Sequence, residues 1–167
     1  DTIYGGTGSG QVDTSKAATM TSALTAAGLN VNTAMMDWYS AQIAQMKEDK
    51  TNRSTPGMFT EYADVPAATR IAEVSADAVA SSGVNLDGYK DAAIVVIGRS
   101  GGEGADLYTG EFTDGTSYFE LQDSERELLK YVASQGFSKT IVLINSSNAM
   151  AMDWVNNPEY GVDACLW

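Results

Sequence analysis

Ala92-Ala-Ile-Val-Val-Ile-Gly98 is the stretch that decides the fold. It is apolar throughout, so a strand formed from it must be covered on both faces, as in the middle of a parallel sheet. Thr140-Ile-Val-Leu-Ile-Asn145 is a second run of the same kind. Between them, Ser124-Glu-Arg-Glu127 matches the S-x-x-E capping box. It predicts a helix to about Gln135, with Leu128, Leu129 and Val132 facing inward and Gly136 as its stop. Val162 to Trp167 reads as the start of a third strand. Strand, loop, helix and strand recur at the spacing of βαβ units. The expected class is therefore α/β: a three-layer αβα sandwich with a mostly parallel sheet and helices on both faces.

Outward from that centre, the first half of the chain reads as helical. Asp13 or Thr14 caps a helix over about 15–28, with Ala17, Met20, Thr21 and Leu24 on one face and Gly28 at its end. Leu29 to Val31 is short enough for a small strand. A second helix is expected over roughly 33–48, with Met35, Trp38, Tyr39, Ile43 and Met46 along one side. The polar stretch from Glu48 to Glu61, with Pro56-Gly57, reads as an exposed loop. A third helix is expected over 66–81, with Ile71, Val74 and Ala78 inward.

The chain has 167 residues, the length of one domain, with 44% apolar and 19% charged residues. That is a globular composition. The net charge of −12 makes nucleic acid and anionic membrane poor partners. No apolar run approaches the ~20 residues of a spanning helix. Histidine is absent, which removes Ser-His-Asp and Cys-His catalysis and His-ligated metals. Cys165 is the single cysteine, so an intrachain disulfide and a Cys-rich zinc site are both excluded. Neither a metal nor a cofactor is expected, and acid/base chemistry falls to carboxylates, Lys or Tyr. One cysteine suits either redox compartment, and a removed signal peptide leaves no trace, so localisation stays open. Asp1 in place of Met marks the chain as processed or as a piece of a longer one.

In open parallel sheets, ligands meet the loops at the carboxyl ends of strands. The loop after the 92–98 run begins Gly98-Arg-Ser-Gly-Gly-Glu-Gly-Ala-Asp106. Glu103 lies between glycines, which let another surface come close. A carboxyl group there can protonate a leaving-group oxygen. Asp106 can hydrogen-bond the loop or a ligand hydroxyl. On these residues alone, a solvated acidic turn is the plainer reading. Asn145-Ser-Ser-Asn148 reads first as satisfying local backbone groups. The opening Gly5-Gly-Thr-Gly-Ser-Gly10 fits neither G-x-G-x-x-G nor a phosphate loop, which leaves a nucleotide binder as a weak third option. Trp38 and Tyr39 read as core. Tyr108, Tyr118, Phe119 and Trp154 fall in expected loops, where aromatics stack on sugars or plug domain interfaces. Cys165 lies in an apolar run and reads as inert.

Three segments together resemble the second domain of family 3 glycoside hydrolases, the β-glucosidase group. Tyr4-Gly-Gly-Thr-Gly-Ser-Gly-Gln-Val12 is similar to its G-G-x-G-S-G-x-V loop. Asp91 to Asp106 is similar to D-x-A-I-V-V-x-G-R-x-x-G-E-G-x-D, and Ile141 to Met150 to V-V-L-x-N-S-G-N-P-M. The chain departs from those patterns at Leu107, Ser147 and Ala149, where the family has Arg, Gly and Pro. The resemblance spans nearly all of 1–167 and implies a partial domain whose catalytic (β/α)₈ barrel lies outside the chain. It implies a retaining, exo-acting β-glycosidase that hydrolyses O-glycosyl bonds of an oligosaccharide or β-glycoside. The barrel's aspartate attacks, and a loop glutamate of this domain serves as acid, then base. Glu103 aligns with that glutamate, and Arg99 and Asp106 are the expected substrate-binding residues beside it. The isolated chain is then expected to be inactive and prone to self-associate where the barrel should dock. The alternative is a non-catalytic module that binds carbohydrate or packs against a partner domain.

Overall fold

The computed structural model describes residues 13–48, 73–99, 110–111, 115, 117–146 and 149–167. Its elements are α1 (Met20–Ala26), α2 (Thr33–Glu48), α3 (Ala76–Ala80), β1 (Ala93–Gly98), α4 (Asp123–Ser134), β2 (Thr140–Asn145) and β3 (Ala164–Leu166). Single 3₁₀ turns occupy Thr14–Lys16 and Asp153–Asn156.

The three strands form one parallel sheet in the order β1-β2-β3. Ala93 pairs with Thr140 and Gly98 with Asn145, so β1 and β2 match along their whole length. β3 adds beside the first half of β2, with Ile141 opposite Ala164 and Leu143 opposite Leu166. Asp163 fixes that addition. Its carboxylate accepts the Thr140 N–H at 2.8 Å and a Lys139 ammonium hydrogen at 2.8 Å. Its own N–H donates to the Thr140 carbonyl at 2.8 Å. These bonds hold the Asp163 carboxyl below the usual carboxylate range.

Right-handed crossovers in a 1-2-3 order place both connections on the same face of the sheet. That face carries the core: Val95 and Ile97 of β1, Val142 and Ile144 of β2, Leu128, Leu129 and Val132 of α4, with Val79, Met150, Trp154 and Tyr160 around them. Met35, Trp38, Tyr39 and Met46 of α2 pack against the same cluster. Each fully buried aliphatic side chain here is worth roughly 1.5–3 kcal/mol. On the opposite face Ile94 is 37% exposed and Leu166 55%, while Val96, Ile141 and Leu143 are half-buried. The α/β class and the parallel sheet are as expected. Among the described residues, the helices that join the core lie on one face, so two of the three layers are on view.

Local differences from the sequence reading have physical causes. The first helix is shorter than 15–28: Thr19 accepts the Ser22 N–H on its hydroxyl and starts α1, and Gly28 at φ +84° ends the turn that follows. Leu29 to Val31 forms no strand: the Leu29 N–H closes the turn after α1 on the Leu24 carbonyl at 3.1 Å, and Asn32 already caps α2 through the Met35 N–H at 3.1 Å. α2 itself spans the expected 33–48. Of the expected 66–81 helix, Ala76–Ala80 is helical under a Ser75 cap, Val74 is buried just before it, and 66–72 with Ile71 lie outside the described residues. The 48–61 loop, beyond Glu48, and the glycine opening also lie outside them. α4 begins at Asp123. Its Gln122 N–H donates to Glu125 Oε2 at 2.8 Å, so Glu125 closes the cap instead of Glu127.

Candidate functional site

The carboxyl edge of β1 and β2 is where a ligand would meet this sheet. Strand geometry decides what stands there. Side chains two residues apart share a face, so Arg99 continues the buried row of Val95 and Ile97. It is 1% exposed. A guanidinium in that position must find acceptors, since an unpaired buried charge is very costly.

It finds one for each of its five N–H groups. Nε donates to the Tyr118 carbonyl at 2.8 Å. Nη1 donates to the Gly98 carbonyl at 2.8 Å and to Glu125 Oε1 at 2.6 Å. Nη2 donates to the Glu120 carbonyl at 2.7 Å and to Glu125 Oε2 at 2.7 Å. The Glu125 contacts form a two-pronged, charge-assisted pair. Tyr118 also lies beneath the guanidinium, with its ring centre 4.9 Å from Cζ. Desolvation acts to lower the Arg99 pKa, but the Glu125 hydrogen bond and charge outweigh it and hold the net shift upward.

The pair therefore ties together three parts of the chain. Arg99 is the first residue after β1, and its backbone N–H extends the ladder to the Asn145 carbonyl at 3.2 Å. Tyr118 and Glu120 close the loop that starts at Arg99, and Glu125 stands in the first turn of α4. Glu125 is 7% exposed and also receives the Gln122 N–H. Neither its burial nor its partner follows from local pattern. The signal that reveals both is the row Val95, Ile97, Arg99, which sends a cation toward the helix on that face.

Beside this clamp the returning half of the loop forms an open cup of about 420 Å³. Glu111, Glu120, Asp123 and Arg126 line it with Phe119 and Leu121. Arg126 bridges to Glu120 at 3.3 Å and to the Leu121 carbonyl at 3.2 Å. The described part of the loop thus presents a polar rim over two apolar side chains.

A half-buried carboxyl lies nearby. Glu73 accepts the Val74 N–H at 2.8 Å and hydrogen-bonds the Tyr39 hydroxyl. Burial pushes its pKa up to about 7, and the neighbouring Glu125 charge adds to the rise. Burial also raises the Tyr39 phenol, with Glu73 contributing. Tyr39 packs edge-on against Trp38, ring centres 5.1 Å apart, as core aromatics do.

Of the expected site residues, Arg99 stands at the loop root with all its donors engaged inside the protein. A sugar hydroxyl would reach it only by displacing one of those acceptors. Glu103 and Asp106 lie outside the described residues, as do Tyr108, Ser147 and Asn148. Tyr118 and Trp154, expected in exposed loops, are both only 5% exposed. Tyr118 is held by the Arg99 guanidinium. Trp154 is anchored by its indole N–H, which donates to the Ala151 carbonyl at 2.8 Å. Cys165 is half-buried, and burial raises its thiol pKa, which suits an unreactive residue. Among the described residues, no helix is long and apolar enough to cross a membrane.

The family model described as the glycosyl hydrolase family 3 C-terminal domain matches residues 1–167. No curated protein and no solved structure matched. The parallel α/β sheet agrees with the sequence resemblance, and the family model spans the whole chain. The chain belongs to glycosyl hydrolase family 3, as its C-terminal domain.

Proposed function

We propose that this domain supplies the acid/base carboxylate of a retaining, exo-acting β-glycosidase of the β-glucosidase kind. Its substrate is an oligosaccharide or a simple β-glycoside. The nucleophilic carboxylate belongs to a (β/α)₈ barrel that precedes this domain in the parent protein. Glu103 is the acid/base residue, and Asp106 holds a substrate hydroxyl. Arg99 lies at the root of the same loop.

The observation that carries this reading is the position of the loop root. Gly98 ends β1 at the carboxyl edge of the sheet. Arg99 fixes the next step of the chain, and Glu103 follows four residues later between two glycines. In a retaining mechanism the two carboxyl groups stand ~5–5.5 Å apart across the scissile bond. Glycine neighbours permit that approach to a second domain. Docking of the barrel would withdraw the Glu103 carboxyl from water and raise its pKa toward the value an acid needs near neutral pH.

The reading has a direct test. The purified 167-residue chain holds only one half of the catalytic pair, so p-nitrophenyl β-glycosides should not turn over above background. In the parent enzyme, Glu103→Ala should depress hydrolysis of ordinary disaccharides by roughly 10²–10⁴-fold. Glycosylation from a 2,4-dinitrophenyl glycoside, whose leaving group needs no proton, should survive. Equal losses on both substrates would assign the acid role to another group.

A further inference from the structure

We propose that Arg99 and Glu125 form a positioning pair that sets the geometry of the Glu103 loop. This inference rests on the acid/base reading of Glu103. Three observations support it. First, the pair joins both ends of the loop at one point. The Arg99 side chain binds the carbonyls of Gly98, Tyr118 and Glu120, so the departing and returning strands of the loop share one rigid fork. Second, the fork is held from the far side by a residue of α4 that is itself oriented. Glu125 Oε2 receives the Gln122 N–H as well as an Arg99 N–H. Rotation of either carboxylate or guanidinium would break several bonds together.

Third, stability alone does not call for this arrangement. A buried ion pair is often matched or exceeded in stability by apolar residues of similar volume. Its distinctive product is direction, because a planar fork on a planar carboxylate fixes orientation as well as distance. Direction matters four residues before an acid that must protonate one particular oxygen. A displacement of about 1 Å at such a group can lower the rate about 10²-fold. Arg99 and Glu125 touch neither substrate nor reacting atoms in this account; they act through the loop.

The test uses the parent enzyme, with a leaving-group series as readout. The double variant R99M/E125L removes both charges and retains much of the side-chain volume. R99K keeps the charge but offers three donors in place of five. For R99M/E125L, kcat/KM on disaccharides should fall by about 10²-fold, while glycosylation from the 2,4-dinitrophenyl glycoside changes less than about threefold. R99K should fall in between. Placed on a Glu103→Ala background, R99M/E125L should add little further loss, since the group it positions is gone. If the double variant does not fold, R99K alone carries the test, judged by the same ratio between the two substrates. Equal loss on both substrates, or full additivity with Glu103→Ala, overturns the positioning role. If Glu103→Ala shows leaving-group dependence and the Arg99 variants do not, only this inference fails. If Glu103→Ala shows none, the acid/base reading fails and this inference with it.

Discussion

The sheet's two carboxyl-edge connections are built in opposite ways. After β1, the chain leaves on a buried guanidinium and returns to it at Tyr118 and Glu120, held by directional hydrogen bonds to Glu125. After β2, the described part of the connection buries Met150, Trp154 and Tyr160 in the core and reaches β3 through the Asp163 bonds to Lys139 and Thr140. Those three large side chains anchor the second connection by apolar packing. Among the described residues, the first connection is anchored where it leaves β1 and where it returns ahead of α4. A directional polar anchor fixes orientation as well as position, which is what the role proposed for the first loop requires.

The sharpest way to break this contrast is to remove the cation from the first connection. Arg99→Met leaves the Glu125 charge buried without its counter-ion, and the chain should lose about 3–5 kcal/mol of stability. R99M/E125L should recover most of that loss. Chemical denaturation of the two variants measures the difference directly. Should the single variant cost no more than the double, the clamp does not hold the loop.

On the apolar side, Trp154→Ala should cost about 3–5 kcal/mol through lost contacts and the cavity left behind. In the parent enzyme, activity per folded molecule should stay near the wild-type value. A thermal melt paired with active-site titration separates the two effects. A specific loss of catalysis in the folded fraction would place function on the second connection also.

A smaller effect is expected at Glu73, beside the polar clamp. Its carboxyl has a pKa of about 7 in the folded chain, above the ordinary 4.5. The folded state therefore keeps a proton that the unfolded state releases. The stability linked to this group is fully present below about pH 4.5 and is lost as pH rises through about 7. Glu73→Gln removes the titration, so its stability should overtake that of the wild type by roughly 1–3 kcal/mol above pH 7. Denaturation curves at pH 4.5, 6 and 8 check the sign. Parallel pH profiles for the two proteins would show that Glu73 titrates as an ordinary surface carboxyl.

Much of the fold was legible because apolar runs and helix periodicity are local. The strand over 140–145 and the helix over 33–48 have their expected bounds, and the third strand lies parallel to β2 within the expected 162–167. The errors are also local in kind. Two overlapping four-residue windows, from Gln122 and from Ser124, each end in glutamate, and the pattern alone favoured the wrong one. Glu125 also binds Arg99, which settles the cap in favour of the earlier window. That partner is 26 residues away in sequence. No local window contains both members of the pair, so the clamp was invisible, and Arg99 read as a substrate contact. It became legible only when strand alternation was carried one step past β1, onto Arg99 itself. Tyr118 and Trp154 were placed in exposed loops for the same reason: their burial is tertiary.

The proposed role of Glu103 as the acid/base of a retaining glycosidase has a chemical signature. The most direct measurement is the product formed by the Glu103→Ala parent enzyme from a 2,4-dinitrophenyl β-glycoside in the presence of azide. Without Glu103, water lacks its base and the glycosyl-enzyme intermediate should persist; azide needs no base and should take its place. Azide should restore turnover, and the product should be a glycosyl azide of retained β configuration, identified by NMR. Turnover unaffected by azide, with free sugar as the sole product and a similar small loss on every substrate, would contradict that role.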